Sequence, residues 1–231
     1  MVEGRVLHFH LAGINNQNFI MQDDETHSWW QQVSGEAIRG PLSGKHLEPV
    51  AWDELRFSTW KQENPDSLVL LGVEKNREDY EPADWETRIL KRPTVTPISD
   101  HDPLKPRDLV VGVKVESLSK AFPMDLLNKL NPVADQVGSI PLLLVVDSDG
   151  KSVRAFNRKC GDTVLDLYLK FNSNPVLLVD SQTGSEWDFS GNAIRGPMFG
   201  KHLVSVQTLK DFWFDWKQHN PETQVYRGGG I

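Results

Sequence analysis

The segment Ile38-Arg-Gly-Pro-Leu-Ser-Gly-Lys-His-Leu47 returns later in the chain as Ile194-Arg-Gly-Pro-Met-Phe-Gly-Lys-His-Leu203, with eight of the ten positions identical. The offset of 156 residues persists downstream, where Trp60-Lys-Gln-Glu-Asn-Pro65 matches Trp216-Lys-Gln-His-Asn-Pro221. Upstream the offset becomes 157, and the matched pairs are Asp23 and Asp180, Thr26 and Thr183, Ser28 and Ser185, and Trp30 and Trp187. Similarity at a fixed offset indicates two copies of one structural unit.

The second copy follows a stretch that has no counterpart before the first copy. Leu109–Val115 is a run rich in β-branched residues, and residues 123–130 form a short helix that proline opens. Residues 140–146 are typical of a buried strand, and the turn signal Asp147-Ser-Asp-Gly150 follows them. If this stretch belongs to the unit, the first copy is only the C-terminal part. We therefore predict a partial first repeat over residues 1–75, a charged and proline-rich linker over 76–108, and a complete second repeat over 109–231.

The pattern within each repeat predicts an α+β, strand-rich fold, with mixed sheets and one amphipathic helix that closes the repeat. In the second repeat one apolar helix face is predicted, with Thr208 as its N-cap and with Leu209, Phe212, Trp213 and Trp216 on it. The corresponding stripe in the first repeat is thinner and consists of Asp53, Arg56, Phe57 and Trp60. Asn-Pro at 64–65 and at 220–221 predicts the end of both helices.

Composition excludes several classes of protein. The 231 residues contain 25 Lys and Arg against 32 Asp and Glu, so an acidic protein with a net charge of -7 is not expected to bind nucleic acid. No apolar run is long enough to cross a bilayer, and the protein is expected to be soluble. The single cysteine, Cys160, excludes an intrachain disulfide. No cofactor is predicted, and a start without a basic and then apolar stretch favours a cytoplasmic location by default.

The repeated residues resemble a bacterial family described only as a domain of unknown function, number 3179. In the first repeat the family pattern is found in Asp23, Thr26, Ser28, Trp30, Gly35-Glu-Ala-Ile38, Gly40-Pro41, Gly44-Lys45, Leu47, Trp60-Lys61 and Pro65. In the second repeat it is found in Asp180, Thr183, Ser185, Trp187, Gly191, Ala193-Ile194, Gly196-Pro197, Gly200-Lys201, Leu203, Trp216-Lys217 and Pro221. The N-terminal half of the family pattern is present once, in residues 110–158.

The resemblance also implies a position for redox or metal chemistry. Many family members have a Cys-Pro-x-Cys-like motif just after the buried strand, where this chain has Val145-Val-Asp-Ser-Asp-Gly150. The second repeat therefore lacks that cysteine pair, and in the first repeat the region would precede Met1. Three explanations stay open, namely a truncated gene model, a fragment of a two-domain parent and a natural partial repeat.

The glycine-rich loops supply the first candidate site. Arg39 with His46, and Arg195 with His202, lie at Gly-Pro and Gly turns, where a guanidinium and an imidazole can bind a carboxylate or a phosphate. The alternative is a structural role in which arginine joins loop carbonyls. Two aromatic residues, Trp30 and Trp187, are candidates for the lining of such a small-anion cleft, although strand tryptophans commonly belong to the core.

Other candidates are weaker. Asp23 and Asp180 each precede a threonine by three residues, which favours a turn in which the carboxylate accepts backbone amides over a metal or acid–base role. His8 and His10 alternate and are weak candidates for a shared metal, without an evident third ligand. Cys160 follows two basic residues that would lower a thiol pKa, but no histidine is placed beside it by the sequence.

Two functions remain as hypotheses. The first is a noncatalytic binding or interaction module with a small-anion cleft at the repeated loops. The second is a redox or hydrolytic enzyme that uses Asp180, His202 and Cys160, and it requires these three to converge. The incomplete first repeat is also expected to leave an unpaired sheet edge or an uncovered apolar face at residues 19–21, which predicts self-association or docking of one repeat on the other.

Overall fold

A computed structural model describes residues 2–15, 18–48, 50, 52–94 and 96–229 of the protein. Its contacts divide the chain into two compact units, one formed by residues 1–52 with 94–97 and the other by residues 53–93 with 98–231. The division therefore follows residue 52, whereas the repeat pattern predicts a boundary at residue 75. Residues 57–63, which the sequence groups with the first repeat, belong to the second unit.

The first unit is a four-stranded antiparallel sheet in which the strands follow chain order. They are β1 (Phe9–Asn15), β2 (Asn18–Asp23), β3 (Trp29–Gln31) and β4 (Ala37–Arg39). Trp30 is completely buried and packs with Val2, Ala37 and Leu42 in a small core. The edge predicted at residues 19–21 is wrong, because β2 pairs with β1 on one side and with β3 on the other.

The second unit begins with short helical segments and continues with strands. The helical segments are α1 (Phe57–Glu63), a 3₁₀ helix (Glu74–Asp79) and α2 (Trp85–Ile89). The elements after residue 108 are β5 (Leu109–Val115), β6 (Leu118–Pro123), α3 (Met124–Leu130), β7 (Val133–Val137), β8 (Ile140–Val146), β9 (Val153–Asn157), β10 (Lys159–Cys160), β11 (Thr163–Val164), β12 (Leu167–Leu169), β13 (Leu177–Asp180), β14 (Glu186–Asp188), β15 (Ala193–Arg195), β16 (Val204–Ser205), β17 (Thr208–Phe212), α4 (Trp213–His219) and β18 (Gln224–Val225).

Strand β8 is the centre of the second unit. Leu142 and Leu144 point into a core that they share with residues of β5, β6, β7 and α3, whereas Leu143 and Val145 point into a second core with β12–β15. A strand buried on both faces needs apolar residues at every position, since successive side chains alternate between the two faces. This requirement explains the continuous apolar run at residues 142–146, and the predicted strands at 109–115 and 140–146 are confirmed.

Among the residues that the structure describes, one sheet of the second unit is mixed and the others are antiparallel. The strand orders are β12-β13-β14-β15, β16-β9-β8-β7 and β17-β5-β6-β18, with a separate pair formed by β10 and β11. Strand β18 pairs with β6 in parallel, while the other pairs described are antiparallel. The protein is therefore strand-rich with few helices. None of its helices, in the part of the chain that the structure describes, is long and apolar enough to span a membrane.

The prediction for the last helix is wrong at its start. Thr208 is not an N-cap, and Leu209 and Phe212 are strand residues, because β17 pairs with β5 from Thr208 opposite Val113 to Phe212 opposite Leu109. The helix begins at Trp213. Residues 209 and 212 fit a helical period, but hydrogen bonds to β5 hold the backbone extended, and such tertiary contacts override a local pattern.

Candidate functional site

Each repeat is organised around one buried aspartate. In the first repeat the side chain of Asp23 accepts hydrogen bonds from Thr26 N at 2.5 Å and from Ser28 N at 3.2 Å. Trp30 Nε1 donates to Asp23 Oδ2 at 2.7 Å. Burial opposes the charge of this carboxylate, but the hydrogen bonds from Trp30 and Thr26 outweigh it and lower the pKa of Asp23.

The second repeat has equivalent hydrogen bonds from its threonine and tryptophan to Asp180, although Ser185 N donates to Thr183 Oγ1. Thr183 N donates to Asp180 Oδ1 at 2.6 Å, and Trp187 Nε1 donates to Asp180 Oδ2 at 2.9 Å. Thr183 Oγ1 also bonds to the carboxylate and lies 2.7 Å from Ser185 Oγ. The carboxylate of Asp180 thus caps the turn that follows it and anchors the tryptophan of the next strand.

The serine of each network supports the glycine-rich loop. Leu42 N donates to Ser28 Oγ at 3.0 Å, and Met198 N donates to Ser185 Oγ at 2.9 Å. Gly196 has φ +94°, and a Cβ atom there would lie 2.8 Å from the Ser185 Cα. Glycine is therefore required for both its conformation and its lack of a side chain. These hydrogen bonds and the glycine fix the conformation of the loop in each repeat.

The arginine and histidine candidates lie on the outer surface of these loops. The Arg39 guanidinium lies 5.4 Å from the centre of the Trp29 ring. The side chain of Arg195 is 78% exposed, with its nearest carboxylate, on Glu186, 3.8 Å away. His202 Nδ1 lies 2.8 Å from Asn192 Oδ1, and His46 is exposed, with its backbone in an isolated β-bridge to Glu36. These side chains are accessible to an anion in solution.

The two tryptophan candidates lie elsewhere. Trp30 and Trp187 are both 0% exposed, and both indole N–H groups donate to an aspartate of the same repeat. Their rings fill the cores beneath the loops. They therefore do not line an open cleft beside the arginines and histidines.

The three residues of the enzyme hypothesis have different surroundings. Asp180 is buried and bonded to Thr183 and Trp187, while His202 is exposed and bonded to Asn192. Cys160 is half-buried in β10 and packs at the edge of the core between β8 and β13. The hydrogen bonds of Asp180 and His202 thus lead to separate partners.

The histidines near the start of the chain also have separate partners. His8 precedes β1 and its Nδ1 lies 2.5 Å from Glu25 Oε1, whereas His10 Nδ1 lies 2.8 Å from Asp24 Oδ1. The hydrogen bond and the charge of Glu25 raise the pKa of His8. Among the residues that the structure describes, no group of three or more His, Cys, Asp or Glu side chains could hold a metal ion.

A polar cluster that sequence analysis missed lies on β9. The Arg154 guanidinium donates to both oxygens of Glu63, at 2.6 and 2.8 Å, and to Asp53 Oδ2 at 2.7 Å. Arg154 Nη1 also donates to Ser190 Oγ at 3.0 Å. Burial opposes the charge of Arg154, but the hydrogen bonds that it donates to Glu63 and Asp53 outweigh this effect and raise the pKa of Arg154.

The turn before β9 continues this cluster. Thr59 Oγ1 donates to Asp147 Oδ2 at 2.9 Å and lies 3.2 Å from Asp149 Oδ2, and Arg56 N donates to Ser152 Oγ at 2.9 Å. A cavity of about 250 Å³ opens beside it, lined by Glu63, Asp147 and Ser190 among others. The turn occupies the position of the cysteine motif expected from the resemblance. Here its side chains accept hydrogen bonds from Thr59 and Arg56 and so hold helix α1 in place within the second unit.

The apolar face of the first sheet is the other exposed feature. Phe9, Leu11 and Phe19 lie on the face of the sheet that carries Trp30, because Phe9 pairs with Asp23 and Leu11 pairs with Met21, which in turn pairs with Trp30. Phe9 is 38% exposed and Phe19 is 45% exposed. Of residues 19–21, where an unpaired edge or an uncovered apolar face is expected, Phe19 is exposed, Met21 is half-buried and Ile20 is buried, and β2 is not an edge strand.

The second repeat has the same register with a different environment. Leu167 pairs with Asp180 and Leu169 pairs with Leu178, which matches the pairs of Phe9 and Leu11 in the first repeat. In the second repeat Leu169 is 41% exposed, as Leu11 is also exposed, but Leu167 is only 5% exposed, and Val176, which precedes β13 and aligns with Phe19, is 8% exposed. Leu167 and Val176 pack in a core with Leu143, Val145 and Phe156 of β8 and β9.

A comparison of the sequence with family models assigns the chain to a protein family. No curated protein and no solved structure matches the chain. The family described as "Protein of unknown function (DUF3179)" matches residues 1–223. Because this match covers 223 of the 231 residues, the chain belongs to the DUF3179 family.

Proposed function

We propose that this protein is a noncatalytic interaction module whose first repeat binds a separate protein through the apolar face of β1–β3. The two repeats derive, in this proposal, from one ancestral unit that an amphipathic helix closes. The observation that carries the proposal is the difference in burial between equivalent positions. Phe9 is 38% exposed where Leu167 is 5% exposed, although the two residues hold equivalent positions in their sheets, opposite Asp23 and opposite Asp180.

Physical chemistry supports a docking role for this face. Phe9, Leu11, Ile14 and Phe19 are all exposed on β1 and β2. Neighbouring apolar side chains on one sheet face are a larger exposed patch than scattered apolar residues, and such patches mark interaction sites. Aromatic residues are also enriched at the centres of protein interfaces. A protein surface is therefore the expected partner of this face.

The polar networks support a noncatalytic role. Asp23 and Asp180 are both committed to turn amides and to a tryptophan, and Arg154 is held by two carboxylates. The enzyme hypothesis has less support, because Asp180 is buried in its network while His202 is exposed with Asn192 as its partner. A general base and its nucleophile need to approach within hydrogen-bond distance.

The experiment is site-specific photo-crosslinking in the cells that naturally produce the protein. A benzophenone amino acid replaces Phe19, and in a control protein it replaces Phe171, which is 88% exposed in the second repeat. We expect a crosslinked product with a different protein, identified by peptide masses, at position 19 and not at position 171. Crosslinks that contain only copies of this chain, or the same products at both positions, would contradict the proposal.

A further inference from the structure

The partner of the first sheet can be characterised by what covers the same face in the second repeat. That face packs on the hairpin formed by β8 and β9, whose Leu143 and Val145 are completely buried and whose Phe156 is 1% exposed. Since the two sheets share their register, the first sheet presents the same side-chain positions to whatever lies above it. We infer that the occupant is a β-hairpin of the β8–β9 kind on a separate protein, an inference that rests on the proposed function.

The glycine before each motif loop gives this inference a specific contact. Gly191 lies directly under the ring of Phe156, since a Cβ atom on Gly191 would be 2.6 Å from Phe156 Cε1. Its counterpart is Gly35, and the two share a positive φ and a hydrogen bond from the leucine of the loop to the glycine carbonyl. A Cβ atom on Gly35 would meet only Leu47, at 3.5 Å or more. The position above Gly35 is thus open for an aromatic ring.

The remaining positions fit the same occupant. Leu165, Leu178 and Leu203, which pack with the hairpin in the second repeat, are each 0% exposed. Their counterparts in the first repeat, Leu7, Met21 and Leu47, are half-buried. Apolar side chains are therefore present at these three positions in both repeats. A partner with two alternating apolar strands and one aromatic residue would complete the pattern.

A second copy of this chain is a poor occupant. Its own β8–β9 hairpin is already buried between the sheet β12–β15 on one face and the core around Leu142 and Leu144 on the other. Release of the hairpin would expose these two cores to water, which costs more apolar burial than docking on the first sheet restores.

The test uses a peptide of residues 140–157, closed into a hairpin by a covalent link between its ends, as the probe. Binding of the labelled peptide to the full chain is measured by fluorescence anisotropy. We expect saturable binding, weakened about tenfold or more by Phe19→Lys in the protein and by Phe156→Ala in the peptide. Phe171→Lys in the protein and Lys151→Ala in the turn of the peptide are matched controls, and we expect them to leave the affinity unchanged.

Circular dichroism establishes that each protein variant is folded, and the peptide variant tests the contact without changing the protein. Absence of binding, or equal binding by the Phe19→Lys and Phe171→Lys proteins, overturns the inference. If the peptide fails while a photo-crosslinked partner is found at position 19, the proposed function stands and the hairpin class of the partner falls. If the peptide binds while no partner crosslinks in cells, the proposed function falls and the inference about a separate protein falls with it.

Discussion

Arg154 in β9 donates two hydrogen bonds, of 2.6 and 2.8 Å, to the carboxylate of Glu63, the last residue of α1. This contact links α1 to β9. The sequence pattern groups α1 with the first repeat, but both elements lie in the second unit. Because Arg154 is only 8% exposed, its charge depends on these carboxylates for compensation. The position of α1 is thus set by a charged contact as well as by apolar packing.

Replacement of Arg154 by methionine is expected to release α1. The change removes the bonds to Glu63 and Asp53 while keeping a long apolar side chain, so the core around β9 should remain intact. Hydrogen–deuterium exchange should therefore rise in residues 57–63 and change little in residues 140–146. Lys151→Met, which breaks an exposed ion pair with Glu86, is the control and should leave the exchange of α1 unchanged. Unaltered exchange in α1 of the Arg154 variant would contradict the anchoring role.

The buried aspartate of the second repeat gives a prediction for stability. Asp180→Asn places an amide group where Thr183 N and Trp187 Nε1 now donate to a carboxylate. Hydrogen bonds to charged acceptors are the stronger ones, and we expect a loss of about 3 kcal/mol in the free energy of unfolding in urea. Asp162→Asn, at an exposed position, should change it by less than about 0.5 kcal/mol. Equal stability of the two variants would show that the network is not needed.

Strands are easiest to predict from the sequence where both faces are buried, because every side chain must then be apolar. Residues 140–146 are apolar throughout because β8 separates two cores, and this run has few alternatives to a buried strand. The turn at Asp23 can be predicted equally well, since an aspartate three residues before a threonine is a local turn signal. In the structure Thr26 N and Thr26 Oγ1 donate hydrogen bonds to the Asp23 carboxylate, as this signal predicts. Both features depend on neighbours along the chain.

The sequence fails where distant residues decide the outcome. Leu209 and Phe212 fit a helix, but pairing with β5, about 100 residues earlier, makes them part of a strand. The Arg154 cluster joins Asp53, Glu63 and Ser190, and no spacing in the chain brings these together. An arginine amid the apolar residues of a strand, as in Val153-Arg-Ala-Phe156, is the one local sign of such a partner.

Strand β5 contains a glycine whose replacement should be severe. A Cβ atom on Gly112 would lie 2.2 Å from Trp216 Cζ3, so the ring of Trp216 lies flat against the strand. Gly112→Ala should therefore destabilise the protein by on the order of 3 kcal/mol, because the indole is also fixed by its bond to Thr223. Gly13→Ala, in β1 with nothing within 4 Å of the new atom, should have little effect on thermal unfolding. Similar melting temperatures for both variants would rule out this packing.

We still expect the glycine-rich loop of the second repeat, residues 194–203, to bind small anions. Arg195 and His202 are exposed, and a phosphate ion is a suitable probe for a loop that carries an exposed guanidinium and an exposed imidazole. Titration with inorganic phosphate should shift the NMR amide signals of residues 195–202, and Arg195→Ala should abolish the shift. Lys159→Ala, an exposed cation in β10, is the control. A variant at Arg195 that binds phosphate as the parent does would contradict the anion site.

The carboxyl group of Asp211 should make stability depend on pH. Burial, and then the charge of Asp215, raise its pKa from 3.8 to about 7, with a smaller increase from Glu54 and a decrease from His219. The folded protein therefore retains a proton on Asp211 over a range in which the unfolded chain has released it. The free energy of unfolding attributable to this group falls as the pH rises from about 4 to about 7, and it is constant above that range.

Asp211→Asn removes this dependence, since the amide does not titrate. Urea unfolding at intervals between pH 4 and pH 8 should show the variant gaining stability relative to the parent as the pH rises, by at most about 4 kcal/mol at pH 8. The difference between the two proteins isolates Asp211, because the other titrating groups are common to both. Asp162→Asn, with its exposed side chain, should follow the parent at every pH. Parallel curves for the parent and the Asp211 variant would mean that burial does not raise the pKa of this carboxyl group.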